Sequence, residues 1–246
     1  MLLQLTMLGT GSAFSKSFGN NNALLELPDQ QKLLIDCGHT AMMALHQLQQ
    51  PLEQLEGVIV THLHADHVGG LEELAFRRKF SSSAKPTLYI ADTLVTPLWE
   101  HCLRAGLEDQ QHRSLADFFE VQPLVPGTPF SLTDGLDLTL VHTDHIPGKD
   151  SYSLLWNQKL FYSADMTFAP DLLQQLHQEG TEYILHECQL TGQGAVHTTL
   201  DELLSLPASI QSCIQLMHYG DEQPDFIGKT GSMTFLERGQ TYRYEI

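Results

Sequence analysis

Residues 58–74, VIVTHLHADHVGGLEEL, set an apolar run directly against His62, His64, Asp66 and His67. The run has the pattern of a buried strand, so the loop opens at a strand end. In extended chain, residues i and i+2 point the same way, which lets His62 and His64 converge on one ion. Asp66 and His67 come after a short turn and can face a second ion beside it. Imidazole and carboxylate suit zinc, manganese or iron. A solvated polar loop is the plainer account. Four ligand-type side chains at this density beside a buried strand are nevertheless costly without a cation.

Around this loop, strand and helix patterns alternate. LLQLTML, NALLEL and KLLIDCG read as strands, and TAMMALHQLQQ as a helix that stops before Pro51. LEGVIVTH is a buried strand, GGLEELAFRRKF a helix and TLYIA a strand. TPLWEHCLRAGL predicts a helix with Pro97 in its first turn. Residues 118 to 141 suggest hairpins around Pro126, Gly127, Asp134 and Gly135. SYSLLW and KLFYSAD pair around Asn157 and Gln158. DLLQQLHQEG is a helix closed by Gly180. EYILHE, TLDELLSLP and SCIQLMHYG read as strand, helix and strand, and the tail GSMTFLERGQTYRYEI as a hairpin. The pattern describes a layered α/β protein with mixed sheets. No repeat or linker interrupts it, so one domain is expected over residues 1–246.

The formal charge of −17 repels polyanions over most of the surface, which disfavours extensive nucleic-acid binding. Arg77, Arg78 and Lys79 form the one basic run, and a solvated helix end accounts for it. No apolar run approaches membrane-spanning length. The opening MLLQLTMLGTG lacks a basic leader and reads as a strand, so a cytoplasmic protein is expected. Cys37, Cys102, Cys188 and Cys213 are scattered and are expected as reduced thiols.

THLHADHVGG resembles the HxHxDH motif of the metallo-β-lactamase fold. The resemblance runs in order along nearly the whole chain, through Asp36 in LLIDCG, Asp165 in YSAD and His218 in MHYG. It implies a four-layer αββα sandwich with mixed β-sheets. It also implies two divalent ions, zinc before manganese or iron. His62, His64 and His145 would hold one ion, and Asp66, His67 and His218 the other, with Asp165 bridging them. His145 is preferred to His142 because it leads into IPGKDSYSLL, which is similar to the family's histidine, small loop and returning strand. In such a site a hydroxide shared by the two ions is the nucleophile. Asp66 would orient it and take up its proton, and Asp36 would fix the tautomer of a ligand histidine. A turn residue before Gly38 is the simpler reading of Asp36.

Two further segments, ILHECQL and GAVHTTLDEL, resemble the ribonuclease Z branch at His186, Glu187 and His197. There His197 would protonate the leaving oxygen, with His186 and Glu187 behind the ligands. A strand-end pair that satisfies the backbone, and a residue at a helix start, are the plainer readings of these three. LGTGSAFSKSFGNNNALLEL is also similar to that branch. It is not a dinucleotide fingerprint, because Phe14 stands where the third glycine would be. Only two strands and a turn fit between His145 and Asp165, so the tRNA-binding arm is missing. The expected activity is therefore hydrolysis of a small anionic phosphodiester, cyclic or short and nucleotide-like. HIPGKDSYSLL also resembles the HTPG segment of lactonases and thioesterases, which makes carboxylic-ester hydrolysis the alternative. A tRNA 3′-processing endonuclease and a non-catalytic metal-binding sensor rank below both. A helical insertion at about 96–119 is expected to shape the substrate site, and analogy suggests a homodimer.

Overall fold

The computed structural model describes residues 1–81 and 84–246. In chain order the strands of one sheet are β1 (Leu2–Gly9), β2 (Asn22–Glu26), β3 (Lys32–Ile35), β4 (Leu55–Val60), β5 (Thr87–Ala91) and β6 (Glu120–Leu124). The other sheet takes β7 (Phe130–Thr133), β8 (Leu136–His142), β9 (Tyr152–Trp156), β10 (Leu160–Tyr162), β11 (Tyr183–Glu187), β12 (Ile214–Met217) and β13 (Thr234–Phe235). Strand β14 (Thr241–Glu245) returns to the first, giving the orders β14-β1-β2-β3-β4-β5-β6 and β13-β12-β11-β10-β9-β8-β7. Both sheets are mixed. β3 to β6 run parallel in one and β10 to β13 in the other, and the remaining pairs are antiparallel.

Helices flank these sheets: α1 (Ala41–Gln47), α2 (Ala65–Val68), α3 (Leu71–Ser81), α4 (Asp92–Pro97), α5 (Arg104–Leu107), α6 (Pro170–Gln178), α7 (Leu200–Leu204) and α8 (Ala208–Gln211). Side-chain alternation explains the layering. Leu154, Trp156, Leu160, Tyr162, Leu185 and Met217 join Leu25, Leu34 and Ile59 of the first sheet in one apolar cluster. Their neighbours Leu155, Phe161, Ile184 and Leu216 pack with Leu173, Leu176, Leu200, Leu203 and Ile210 of the outer helices. A sheet buried on both faces reads as a continuous apolar run, as these strands do. The result is the four-layer αββα sandwich. No helix among the described residues is long and apolar enough to cross a membrane.

Five local expectations are corrected. Pro97 is not in a first turn: the helix begins at Asp92, and the chain widens into a π-turn at Leu98–Leu103 directly after the proline. Proline lacks the amide that would continue the α ladder, and the wider turn accommodates its ring. Residues 96–119 are accordingly helical only to Leu107, apart from a short 3-10 turn at Leu115–Asp117. Pro126–Gly127 carries the chain from one sheet to the other and closes no hairpin, whereas Asp134–Gly135 does turn β7 into β8. The tail is no hairpin either, because β13 adds to β12 and β14 to β1. Arg78 is not a solvated helix end: it is buried and donates to the carbonyls of Leu52 and Ala84.

Candidate metal centre

The C-terminal ends of β3, β4, β8, β10, β11 and β12 deliver Asp36, His62, His145, Asp165, Glu187 and His218 into one region. His64 precedes α2, while Asp66 and His67 lie within it. The loop after β3 presses on this helix so closely that a Cβ on Gly38 would lie 1.8 Å from the Asp66 carbonyl oxygen. Asn22 joins the two, accepting from the Gly38 amide at 2.9 Å and donating to the Asp66 carbonyl at 3.1 Å.

Among the described residues three groups of side chains that could hold a cation result: His62, His64, His145 and Asp165; Asp66, His67, Asp165 and His218; and, at the edge of the second, Glu187, His197 and His218. The first two carry the ligand types expected from the sequence. One oxygen of Asp165 belongs to both. Its Oδ2 lies 3.8 Å from the Nε2 atoms of His62 and His145, 3.4 Å from that of His67 and 3.3 Å from that of His218. In the first group, His64 Nδ1 stands 3.0 Å from His62 Nε2 and 3.2 Å from His145 Nε2. Asp66 Oδ2 reaches His67 Nε2 at 3.2 Å and His218 Nε2 at 3.5 Å.

Hydrogen bonds behind the cluster fix the tautomers. His67 Nδ1–H donates to Asp36 Oδ2 at 2.6 Å. Asp36 also accepts from the Thr61 amide at 2.9 Å and the Thr61 hydroxyl at 2.8 Å. With its proton committed to Asp36, the Thr61 oxygen accepts from His62 Nδ1 at 3.1 Å. His145 Nδ1–H donates to the Val196 carbonyl at 2.7 Å. All three rings therefore turn Nε2 inward, as a lone pair on His62 and His145 and on His67 once it is neutral.

The electrostatics divide by group. Burial, then the nearby imidazoles, pushes His62 well below its ordinary range, and burial lowers His64 and His145 as well. Burial works against charge on His67 and His218 too, but Asp165 and neighbouring carboxylates outweigh it. They raise His67 strongly and push His218 up to about 10. Burial likewise opposes ionisation of Asp66 and Asp165, and the histidines overcome it and lower both.

The donor set fits divalent cations. Asp165 Oδ1 is buried with no hydrogen-bond partner, which is costly, and His67 Nε2 has only the carboxylate oxygens of Asp66 and Asp165 before it. Two acceptor nitrogens, His62 Nε2 and His145 Nε2, converge on His64 Nδ1 within 3.2 Å, and only a proton on that atom or a cation among the three relieves their repulsion. Neutral imidazoles and ionised carboxylates are the forms that bind metal.

Glu187 is fully buried, accepts from the Met166 amide at 2.6 Å and receives His197 Nδ1–H at 2.9 Å. Burial opposes a charge on His197, but Glu187 raises its pKa. The His197 ring stands 4.9 Å from that of His145 and 5.0 Å from that of His218. His186 is not brought to the cluster. It precedes Glu187 on a strand, so its side chain leaves the other face, and its Nδ1–H donates to the Glu187 carbonyl at 2.7 Å. His142 is exposed, 3.8 Å from Asp150. Sequence reasoning missed Asn22, Thr61 and Asp221, whose roles are set by contacts distant in the chain. The GNNN cluster was the one signal for Asn22.

A cavity of about 820 Å³ opens onto the centre, lined by His64, Asp66, His145, Asp165, His197 and His218 together with residues 12–15 and 220–222. A second, of about 460 Å³, meets the same centre at His62, His64 and His145 beneath Pro97, His101 and Cys102.

Solved structures share this architecture. The metallo-β-lactamase fold protein YhfI from Bacillus subtilis superposes with a TM-score of 0.77 at 18% identity, covering 99% of this chain and 100% of that one. The short form of human tRNase Z gives 0.68 at 18% identity, covering 99% and 100%. Sequence relatives are nearer. An anti-Pycsar protein Apyc1 from Paenibacillus sp. (strain J14) is 56% identical over 244 residues, spanning 98% of this chain and 99% of its own. Another, from Bacillus phage vB_BveM-Goe7, is 42% identical across 96% of both chains. The family model described as anti-Pycsar protein Apyc1 matches residues 3–242, and so the chain belongs to that family, built on the metallo-β-lactamase fold.

Proposed function

We propose that the protein is a metal-dependent hydrolase of small phosphodiesters, cyclic or short and nucleotide-like. His62, His64 and His145 would hold one divalent cation and Asp66, His67 and His218 the other, with Asp165 available to both. The single oxygen of Asp165 facing four histidine nitrogens carries this reading. When bound, a pair of cations, zinc before manganese or iron, acidifies water and neutralises charge on phosphoryl oxygens.

The chain's own groups have distinct tasks. Asp66, beside His67 and His218, orients the attacking water and takes up its proton. Asp36 holds His67 directly and His62 through Thr61. His197, kept protonated by Glu187, faces the cavity and donates its proton to the departing oxygen. That proton favours phosphodiesters over thioesters, because an alkoxide is a poor leaving group and a thiolate leaves unaided. Among the described residues lining the larger cavity none is Lys or Arg, so attraction of an anion falls to the cations. The cavity volume suits one small ligand.

The test is hydrolysis of bis(p-nitrophenyl) phosphate and of 3′,5′-cyclic nucleotides by zinc- or manganese-loaded protein, with His64→Ala beside it. Turnover abolished by the substitution is expected. Two metals bound per chain with no phosphodiester turnover, but cleavage of lactones or thioesters, would overturn the reading in favour of carboxylic-ester hydrolysis.

A further inference from the structure

Phe14 is 87% exposed although the loop beneath it is firmly held. A Cβ on Gly11 would lie 2.5 Å from the Ser15 side chain, so the chain folds back tightly there. The Asp221 carboxylate accepts from the Ser15 hydroxyl at 2.6 Å and from the amides of Lys16 and Ser17, each at 3.0 Å. The Ser12 amide donates to the Tyr219 carbonyl at 3.0 Å, and the Phe18 ring meets Tyr219 edge-on at 5.0 Å. Tyr219 directly follows His218, so this loop and the metal centre share an anchor.

Phe14 lines the same cavity as His64, Asp66 and His218, and among the described lining residues it alone is Phe, Tyr or Trp. It belongs to neither apolar cluster. A firmly held loop thus presents one bare aromatic side chain in the same cavity as the ligand-type residues. We propose that the substrate's nucleobase stacks on Phe14, which makes it a base-binding residue that favours nucleotide over baseless phosphodiesters. The inference rests on the phosphodiesterase reading above. With the phosphoryl group at the metal centre, the base extends towards the cavity rim and meets this ring. Stacking tolerates every base because each has a π-face, so purine and pyrimidine substrates are both accepted.

Kinetics of Phe14→Ala on 3′,5′-cyclic uridine and adenosine monophosphates are compared with kinetics on the abasic cyclic phosphate, which carries hydrogen in place of the base. Loss of one stacking contact predicts about a 5- to 150-fold fall in kcat/KM, carried by KM, for base-bearing substrates. The abasic substrate keeps its rate. An independent readout is Phe14→Trp, whose fluorescence is quenched by uridine and adenosine 5′-monophosphates and not by ribose 5-phosphate. An equal loss on the abasic substrate would overturn the proposal, as would unchanged kinetics without quenching. Unchanged base-bearing kinetics with altered oligomer mass would make Phe14 a contact between copies instead. Quenching without phosphodiester turnover by the parent protein would sink the phosphodiesterase reading and leave the stacking surface standing.

Discussion

Replacing Asp36 by Asn separates a supporting carboxylate from a mere turn residue. The backbone tolerates the change, because Asp36 sits at φ 59° and Asn adopts the left-handed region readily. The hydrogen bonds do not. Three donors converge on Asp36: the Thr61 amide on Oδ1, and the Thr61 hydroxyl and His67 Nδ1–H on Oδ2. An amide offers one acceptor oxygen and an NH2 that only donates. If its oxygen takes the Oδ2 place, its NH2 meets the Thr61 amide head-on, and a buried donor left unpaired costs about 1–3 kcal/mol. If it turns over, its NH2 faces His67 Nδ1, which must give up its proton, and the neutral ring then carries its proton on Nε2 and cannot offer that atom to a cation. Loss of such a support weakens metal binding by about 10- to 100-fold, or about 1.4–2.7 kcal/mol. Zinc titration against a chromophoric chelator reads both sites. The His67 group should weaken most, and the His62, His64 and His145 group less, through Thr61 alone. Two sites of unchanged affinity at unchanged Tm would show that Asp36 supports neither.

Gly38→Ala drives a Cβ to 1.8 Å from the Asp66 carbonyl oxygen, against backbone that cannot rotate away. A loss on the order of 3 kcal/mol is expected in denaturant melts, with the Asp66 and His67 metal lost first. Gly127→Ala has open space around it, and its φ of 75° should cost only about 1–2 kcal/mol. Glu187→Gln removes the charge that raises His197, so the alkaline limb of the pH–rate profile should move to lower pH; an unmoved limb would rule out His197 as the acid. In metal-stripped protein, His218 is raised to about 10 and binds more protons folded than unfolded. Its contribution is complete below its ordinary pKa and is lost as pH rises towards 10, so Tm should fall across that window, and less so with zinc present.

The ligand-type residues were legible because their chemistry and order survive in one dimension. HLHADH comes directly after an apolar strand, and Asp165 and His218 each stand just past another. His145 was separable from His142 by the IPGKDSYSLL segment that it leads into, and the fold buries the first and exposes the second. The destinations of the last strands were not legible. Alternation in TYRYEI gives a strand but does not say that it closes against β1 and not β13. Arg78 looked solvated because its partners, the carbonyls of Leu52 and Ala84, are set by tertiary packing. The pairing of Asp221 with residues 15–17 spans some two hundred positions and has no local signature.

Strand ends explain why the centre forms where it does. Among the described non-glycine residues with left-handed backbone, Asp36, Ala164 and His218 lie at the ends of β3, β10 and β12, with φ of 59°, 51° and 56°. Each such conformation costs about 1–2 kcal/mol. An extended chain would send successive side chains to opposite faces, whereas one left-handed residue bends it so that a polar group turns inward. The strain has to be offset at the same place. At Asp36 three hydrogen bonds do so, and at Asp165 and His218 the carboxylate–imidazole pairing does. Without a cation, the protons on His67 and His218 supply the positive charge these carboxylates require. Metal binding then exchanges protons for cations with little movement of the chain, because the bends that aim the ligands are already held by the pairs the metals replace.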